Sequence, residues 1–227
     1  MKKLLVSDYD GTFKKDKDGS IKANIDEVSK FMSNGNIFTL ASARSYNSLI
    51  RQVNRYNIPY NYLICNNGGV VYDKNGNIIF FHPVLNSTLL KTLKYINKLG
   101  ILKRILFRDF YGNVTTDLNE IYDIVCTINM SNLDKINDIK DELNFLCSTP
   151  FFHILVFSEE MDKIDGIDVV VSSECIDDKH VFTIGNDFFD RNMIEKYNGY
   201  RMINSNILLR KNGIKKVSSV RRLIRSI

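Results

Sequence analysis

The sequence predicts an α/β protein: a Rossmann-like parallel sheet with a smaller α+β unit inserted into it. Three observations carry that reading. Up to His82 short apolar runs alternate with stretches of helical periodicity. From Pro83 to about Phe157 the order becomes helix, strands, helix, strand, which is the pattern of helices packed on one sheet face. After Ser158 the strand–helix alternation resumes. The expected division is therefore 1–82 with 158–227 as the core and 83–157 as the insert.

Leu4–Ser7 reads as a short buried strand. Asn24 is expected to cap the next helix, with Glu27 three residues on, an apolar face of Ile25, Val28 and Met32, and a stop at Gly35. Asn36–Ala41 is a second strand, and Leu49, Ile50, Val53 and Tyr56 mark a helix closed before Pro59. Tyr62–Cys65 is a third strand, so the β-α-β-α-β order implies parallel pairing through right-handed crossovers. VVYDKNGNIIFF follows, two apolar runs about Asn75-Gly76, and predicts a hairpin.

In the insert, STLLKTLKYINKLG is a helix on Leu89, Leu93 and Ile96 that stops at Gly100. Strands are expected at 101–107 and 121–128, a helix on Leu133, Ile136, Ile139 and Leu143, and a strand in FFHILVF. Beyond it, Ile164, Ile167, Val171 and Cys175 keep helical spacing although Val169–Val171 is poor for helix by propensity. HVFTIG is a strand, Met193–Tyr197 belongs to a helix, Tyr200–Ile203 is a short strand, and Val220, Leu223 and Ile224 mark a terminal helix.

Composition narrows the function classes. The 227 residues suffice for one full core and a modest second domain. With 44% apolar and 25% charged residues the chain is not of a disordered type. The net charge of +5 is spread along the chain without aromatic–basic interleaving, so no nucleic-acid partner is expected. Four scattered cysteines form no CxxC pair, and the three histidines share no ligand spacing. The opening MKKLLVSD meets Asp8 too early for a signal peptide, and no apolar run approaches the roughly 20 residues that span a bilayer. A cytoplasmic protein with no membrane partner is the expectation.

Chemistry gathers at the carboxyl ends of the strands, where open α/β sheets bind their ligands. Asp8 and Asp10 lie just past the first strand, and Ser42 and Arg44 just past the second. Asn66, Asn67 and Gly68 follow the third, and Asn186, Asp187 and Asp190 follow HVFTIG. Two neighbouring carboxylates repel unless a cation or a proton lies between them. An oxygen-rich site with few protein ligands suits Mg²⁺, which binds through one or two acids plus substrate phosphate. A carboxylate so held can attack phosphorus while the second moves protons.

Four stretches carry a resemblance. DYDGT after an apolar strand resembles the first motif of the haloacid dehalogenase (HAD) superfamily of phosphatases. FTLASARS is similar to the second, with Ser42 at its hydroxyl position. YLICNNGGVVYDKNGNIIF resembles the hairpin segment of the Cof-like subgroup with the α+β (type IIB) cap, and VFTIGNDFFDRNMI the acidic fourth motif. The third motif is a lysine about one helix earlier, and Lys163 stands 22 positions before Gly185.

The resemblance implies a Mg²⁺-dependent phosphatase of small phosphorylated metabolites with the insert as a lid. Asp8 would be nucleophile and metal ligand, and Asp10 general acid/base with its carbonyl on the metal. Ser42, Arg44, Asn67 and Lys163 would hold the substrate, and Asn186, Asp187 and Asp190 would complete the metal site. Three departures stand against the pattern: Ala43 where Gly is usual, Asn186 where the first acid of the fourth motif binds metal, and Phe189 in place of Asn. They keep open the reading of a catalytically weak homologue that binds a phosphorylated ligand; a sugar-phosphomutase-type phosphotransferase, which shares the aspartyl-phosphate, is the other alternative.

Overall fold

β1 (Leu4–Asp8) is buried at every residue, because its sheet is covered on both faces. The computed structural model describes residues 1–15, 19–100, 102–117, 119–128, 145–148, 153–156, 161–210 and 213–227. After β1 come α1 (Gly19–Ser33), β2 (Ile37–Ala41), α2 (Tyr46–Tyr56), β3 (Tyr62–Cys65) and the antiparallel pair β4 (Val70–Asp73) and β5 (Ile78–Phe81). Past the insert lie α4 (Lys163–Glu174), β11 (Val181–Gly185), α5 (Arg191–Lys196), β12 (Asn198–Met202), β13 (Lys215–Val217) and α6 (Val220–Ile224).

These strands make one eight-stranded sheet in the order β13-β12-β11-β1-β2-β3-β4-β5, parallel from β13 to β3. Alternate residues of each strand feed opposite cores. Leu5, Phe38, Leu40 and Leu63 pack under α1, α2 and α6, through Val28, Val53 and Leu223 among others. Leu4, Val6, Ile37 and Ile64 pack under α4 and α5, through Ile167, Val170 and Met193. The α/β class and the parallel order follow the sequence reading.

The insert opens with α3 (Asn86–Leu99), which ends at Gly100 in the left-handed region. It continues as an antiparallel sheet in the order β7 (Val114–Thr115), β6 (Leu102–Arg108), β8 (Asp123–Ile128), β10 (His153–Val156) and β9 (Phe145–Ser148). β7 and β9 escaped the sequence reading because two and four residues are too few to show alternation. The helix expected on Leu133, Ile136, Ile139 and Leu143 lies outside the described residues.

One local expectation needs correction. Asn24 is not a helix cap: α1 begins at Gly19, and Asn24 is buried within it. Its Nδ2 donates to the Phe13 carbonyl at 2.8 Å and its Oδ1 accepts from the Arg221 N–H at 3.0 Å, tying the loop after β1 to α6. A polar residue three before Glu resembles a capping box, but here tertiary partners claim the amide. The Asn75-Gly76 hairpin forms as read, with β4 and β5 antiparallel. Asp73 Oδ1 accepts from the N–H groups of Asn75 and Asn77, both at 2.8 Å, which spaces β4 and β5 by four residues.

The same turn recurs in the insert. Asp73-Lys-Asn-Gly-Asn77 and Asp109-Phe-Tyr-Gly-Asn113 share one pattern, and Asp109 Oδ1 likewise accepts from Gly112 and Asn113, both at 2.8 Å. This second turn rests on the start of α2. The Asn47 N–H donates to the Tyr111 carbonyl at 2.9 Å, and Tyr72 Oη to the Phe110 carbonyl at 2.5 Å. Tyr46, Tyr72 and Tyr111 form a triangle of rings, with Tyr46 4.2 Å from Tyr72 and edge-on to Tyr111 at 5.9 Å between centroids. The insert is thereby seated next to Arg44 and Ser45.

One buried ion pair holds the insert's sheet. Arg108 grips the wholly buried Asp123 with Nε and Nη2 at 2.5 and 2.7 Å. Burial pushes the Asp123 carboxyl pKa up against the pull of Arg108. Arg108→Ala is therefore expected to cost about 3–5 kcal/mol by leaving that carboxylate unpaired. The folded variant would take up a proton there more readily than the unfolded chain, so the loss should be smaller at pH 4 than at pH 8. Chemical denaturation at the two pH values checks it.

Candidate active site

The site is built where β1, β2, β3 and β11 end. Asp8 closes β1 with its side chain almost wholly enclosed, whereas the Asp10 side chain, one turn further out, is 55% exposed. The loop folds back through Phe13 N–H to the Asp8 carbonyl at 3.1 Å and Lys14 N–H to the Tyr9 carbonyl at 2.9 Å. The two carboxylates thus face different surroundings, one buried and one at the mouth.

Lys163 is the first residue of α4, whose start is fixed by a capping box between Asp162 and Asp165. Gly68 adopts φ +109°, and a Cβ there would stand 1.8 Å from the Asp162 carbonyl oxygen. Only glycine lets the β3 loop approach this closely. The lysine so placed is 3% exposed. Its Nζ donates to Asp8 Oδ1 at 2.7 Å and to Asp190 Oδ1 at 2.6 Å.

One buried ammonium therefore serves two buried carboxylates. Burial opposes the Lys163 charge, but Asp190 and Asp8 outweigh it and hold the pKa above the ordinary lysine range. For Asp8 the balance falls the other way. Burial and the Asp190 charge outweigh Lys163 and raise its pKa to about 7. The cluster carries an excess negative charge when both acids are ionised, which favours a further cation or proton beside Asp8.

Asp190 has no free oxygen: Oδ2 accepts from the N–H groups of Asn186 and Asp187 at 2.7 and 2.9 Å. Asp187 Oδ1 accepts from the Phe188 N–H at 2.7 Å, a turn-capping contact. Asn186 lies between them, with its side chain directed at β1. The terminal amide atom nearest Asp8 is 3.0 Å from Asp8 Oδ2, 2.8 Å from the Asp10 carbonyl oxygen and 2.5 Å from Thr12 Oγ1.

Ser42 is 2% exposed, and its Oγ accepts from the Arg44 N–H at 3.2 Å. Arg44 is turned to Asp10, with Nε and Nη2 on the two carboxylate oxygens at 2.7 and 2.9 Å and Nη1 on Ser48 Oγ at 2.9 Å. Asn67 sits beside Ser42, its N–H donating to the Ser42 carbonyl at 3.1 Å. The side chains of Asn66 and Asn67 are both 1% exposed, and their four polar atoms make no hydrogen bond within the protein. Buried amides of this kind are costly unless a ligand or water satisfies them.

The structure thus brings Asp8, Lys163, Asn186 and Asp190 into direct contact, with Asp10, Arg44, Ser42 and Asn67 around them. Asp187 stands at the edge with its carboxylate turned to its own loop. Thr12 was not singled out from the sequence, and Asn66 was placed on the rim without a role. The DGT and NNGG patterns already held them beside chosen residues.

Among the described residues no group of three or more His, Cys, Asp or Glu side chains could hold a metal. The donors available for Mg²⁺ are instead one carboxylate, one carbonyl and one amide: Asp8 Oδ2, the Asp10 carbonyl and Asn186. Their separations of 2.8 and 3.0 Å match the spacing of about 2.9 Å between neighbouring oxygens around an octahedral magnesium. All are hard donors once the amide turns its oxygen inward. The residues fit the ion.

Comparison with known proteins defines the class. The model of the haloacid dehalogenase-like hydrolases matches residues 5–123, and the chain belongs to that family. No curated protein matches the chain. Among solved structures, a haloacid dehalogenase-like hydrolase from Bacteroides thetaiotaomicron superposes with a TM-score of 0.77 at 15% identity, covering 100% of this chain and 99% of its own. A haloacid dehalogenase-like hydrolase from B. subtilis gives 0.77 at 14%, covering 99% of each chain. A HAD subclass IIB sugar phosphatase gives 0.72 at 15%, covering 97% and 95%. At such identities the likeness is one of fold, and the fold is that of the Cof-like, type IIB members. Among the described residues no helix is long and apolar enough to cross a membrane.

Proposed function

We propose that the protein is a Mg²⁺-dependent phosphatase of small phosphorylated metabolites, with 1–82 and 158–227 as the catalytic core and 83–157 as its cap. The observation that carries this is the buried Asp8 carboxylate at a strand end, held by Lys163 on one oxygen and by Asn186 beside the other. Asp8 attacks phosphorus and forms an aspartyl-phosphate as the ester oxygen leaves. Asp10, at the mouth, protonates that oxygen and then takes a proton from the water that releases phosphate. Arg44 keeps Asp10 turned to the mouth and lets go of it when the leaving group arrives.

Lys163 and the Ser42 hydroxyl meet the charge that grows on the phosphoryl oxygens. The unpartnered amides of Asn66 and Asn67 complete that cradle. Asp8, the Asp10 carbonyl and Asn186 would hold Mg²⁺, which supplies further charge stabilisation for the phosphoryl group. Asp190 and Asp187 fix the loop that carries Asn186. The cap excludes water through the turn that rests on α2.

Asn186 favours a second reading, in which turnover is weak because the site has one charge fewer than the family pattern. A screen of phosphorylated sugars, nucleotides and cofactors, read as phosphate release with and without Mg²⁺, tests both. The expected result is Mg²⁺-stimulated release that saturates only at millimolar metal. No release from any ester at any Mg²⁺ concentration would overturn the phosphatase reading.

A further inference from the structure

The network around Asn186 contains more than a substituted ligand. Its amide atom nearest β1 faces Asp8 Oδ2 at 3.0 Å and the Asp10 carbonyl oxygen at 2.8 Å; the carbonyl only accepts hydrogen bonds, and so does the carboxylate when ionised. An oxygen at that position would meet two acceptors with nothing between them. A nitrogen there donates to both, so the network assigns the NH₂ group to it. The same position, occupied by Oδ1, is what a cation beside Asp8 requires.

We propose that the Asn186 side-chain amide is the protein's own place-holder for the divalent cation: without the ion its NH₂ group bridges Asp8 and the Asp10 carbonyl, and the ion enters as the amide turns over. The identity of the ion rests on the function proposed above; the place-holding does not.

Three features of the surroundings suit a turn of the amide alone. The Asn186 backbone is held on both sides, its N–H by Asp190 Oδ2 and its carbonyl by the Asn206 N–H, both at 2.7 Å. Thr12 serves either state, because a hydroxyl both donates and accepts. Its Oγ1 accepts from the NH₂ group in one state and donates to Oδ1 in the other, at the same 2.5 Å. Gly11, at φ +79°, leaves the other side of the amide open: a Cβ there would stand 2.7 Å from it.

An aspartate at 186 could hold a cation but could not replace one. Its carboxylate would add a charge 3.0 Å from Asp8 Oδ2, in a cluster already short of positive charge. The amide therefore keeps the metal-free site assembled, at the expense of metal affinity.

The test uses the full chain with ¹⁵N-labelled asparagine, and Mg²⁺ alone as the probe. In EDTA the Asn186 side-chain NH₂ signals, assigned by their loss in Asn186→Asp, should be protected from solvent exchange. Titration with Mg²⁺ should shift them and remove the protection. Asn186→Asp should melt about 3 °C or more below the parent in EDTA and bind Mg²⁺ about tenfold more tightly. NH₂ signals that Mg²⁺ leaves unmoved would overturn the proposal, as would an Asn186→Asp variant equal to the parent in EDTA. Should that variant not fold, Asn186→Ala supplies the assignment and the labelled parent decides. A chain that passes these tests but cleaves no phosphate ester would refute the phosphatase reading and leave the place-holder standing.

Discussion

Asp8→Asn is expected to abolish turnover of every phosphate monoester the protein accepts, by about four orders of magnitude or more. The amide is close in shape to the carboxylate but cannot attack phosphorus. The substitution should not unfold the chain. In the parent, Lys163 is shared between Asp8 and Asp190, and in the variant it keeps Asp190 as one full partner in a neutral pair. Removing one of two mutually repelling buried acids takes away both the burial cost and the Asp190 repulsion that raise the Asp8 pKa to about 7. Phosphate release with thermal melting in EDTA gives both halves, activity lost and stability retained or raised. Wild-type activity in this variant would rule out the aspartyl-phosphate route.

Lys163→Ala should lose on both counts. Removing one electrostatic donor from a phosphoryl site costs on the order of a hundredfold in rate. The stability cost is set by what remains, because Asp8 Oδ1 and Asp190 Oδ1 now meet without the cation that stood 2.7 and 2.6 Å from them. Breaking a buried ion pair on one side costs about 3–5 kcal/mol. Denaturant midpoints and steady-state rates on the same preparation separate the two effects. An unchanged rate with reduced stability would make Lys163 a structural residue.

Helices and strands were legible because their signals are local. The alternation of Leu4–Ser7, Ile37–Ala41 and Tyr62–Cys65 with amphipathic runs fixes parallel pairing through crossover handedness. Glycines at 35 and 100 end helices in the left-handed region, as read. The element starts were less legible. Asn24 looked like a cap from its neighbours and is a buried bridge between two segments. β7 and β9 were missed because pairing to a neighbour, not their own pattern, makes them strands.

By itself, the sequence determined the fold class and the rim of the sheet on which the acids stand, since a strand's end and the residue that follows it are properties of a single stretch of chain. Tertiary structure alone decided the partners. Lys163 meets Asp8 across 155 positions and Asp190 across 27, Arg44 turns to Asp10, and the Asn186 amide lies against the Asp10 carbonyl. No local pattern encodes these contacts. Each depends on how four strand ends and the start of α4 are brought together, and an amide or ammonium takes its role from the charges that packing places within 3 Å of it.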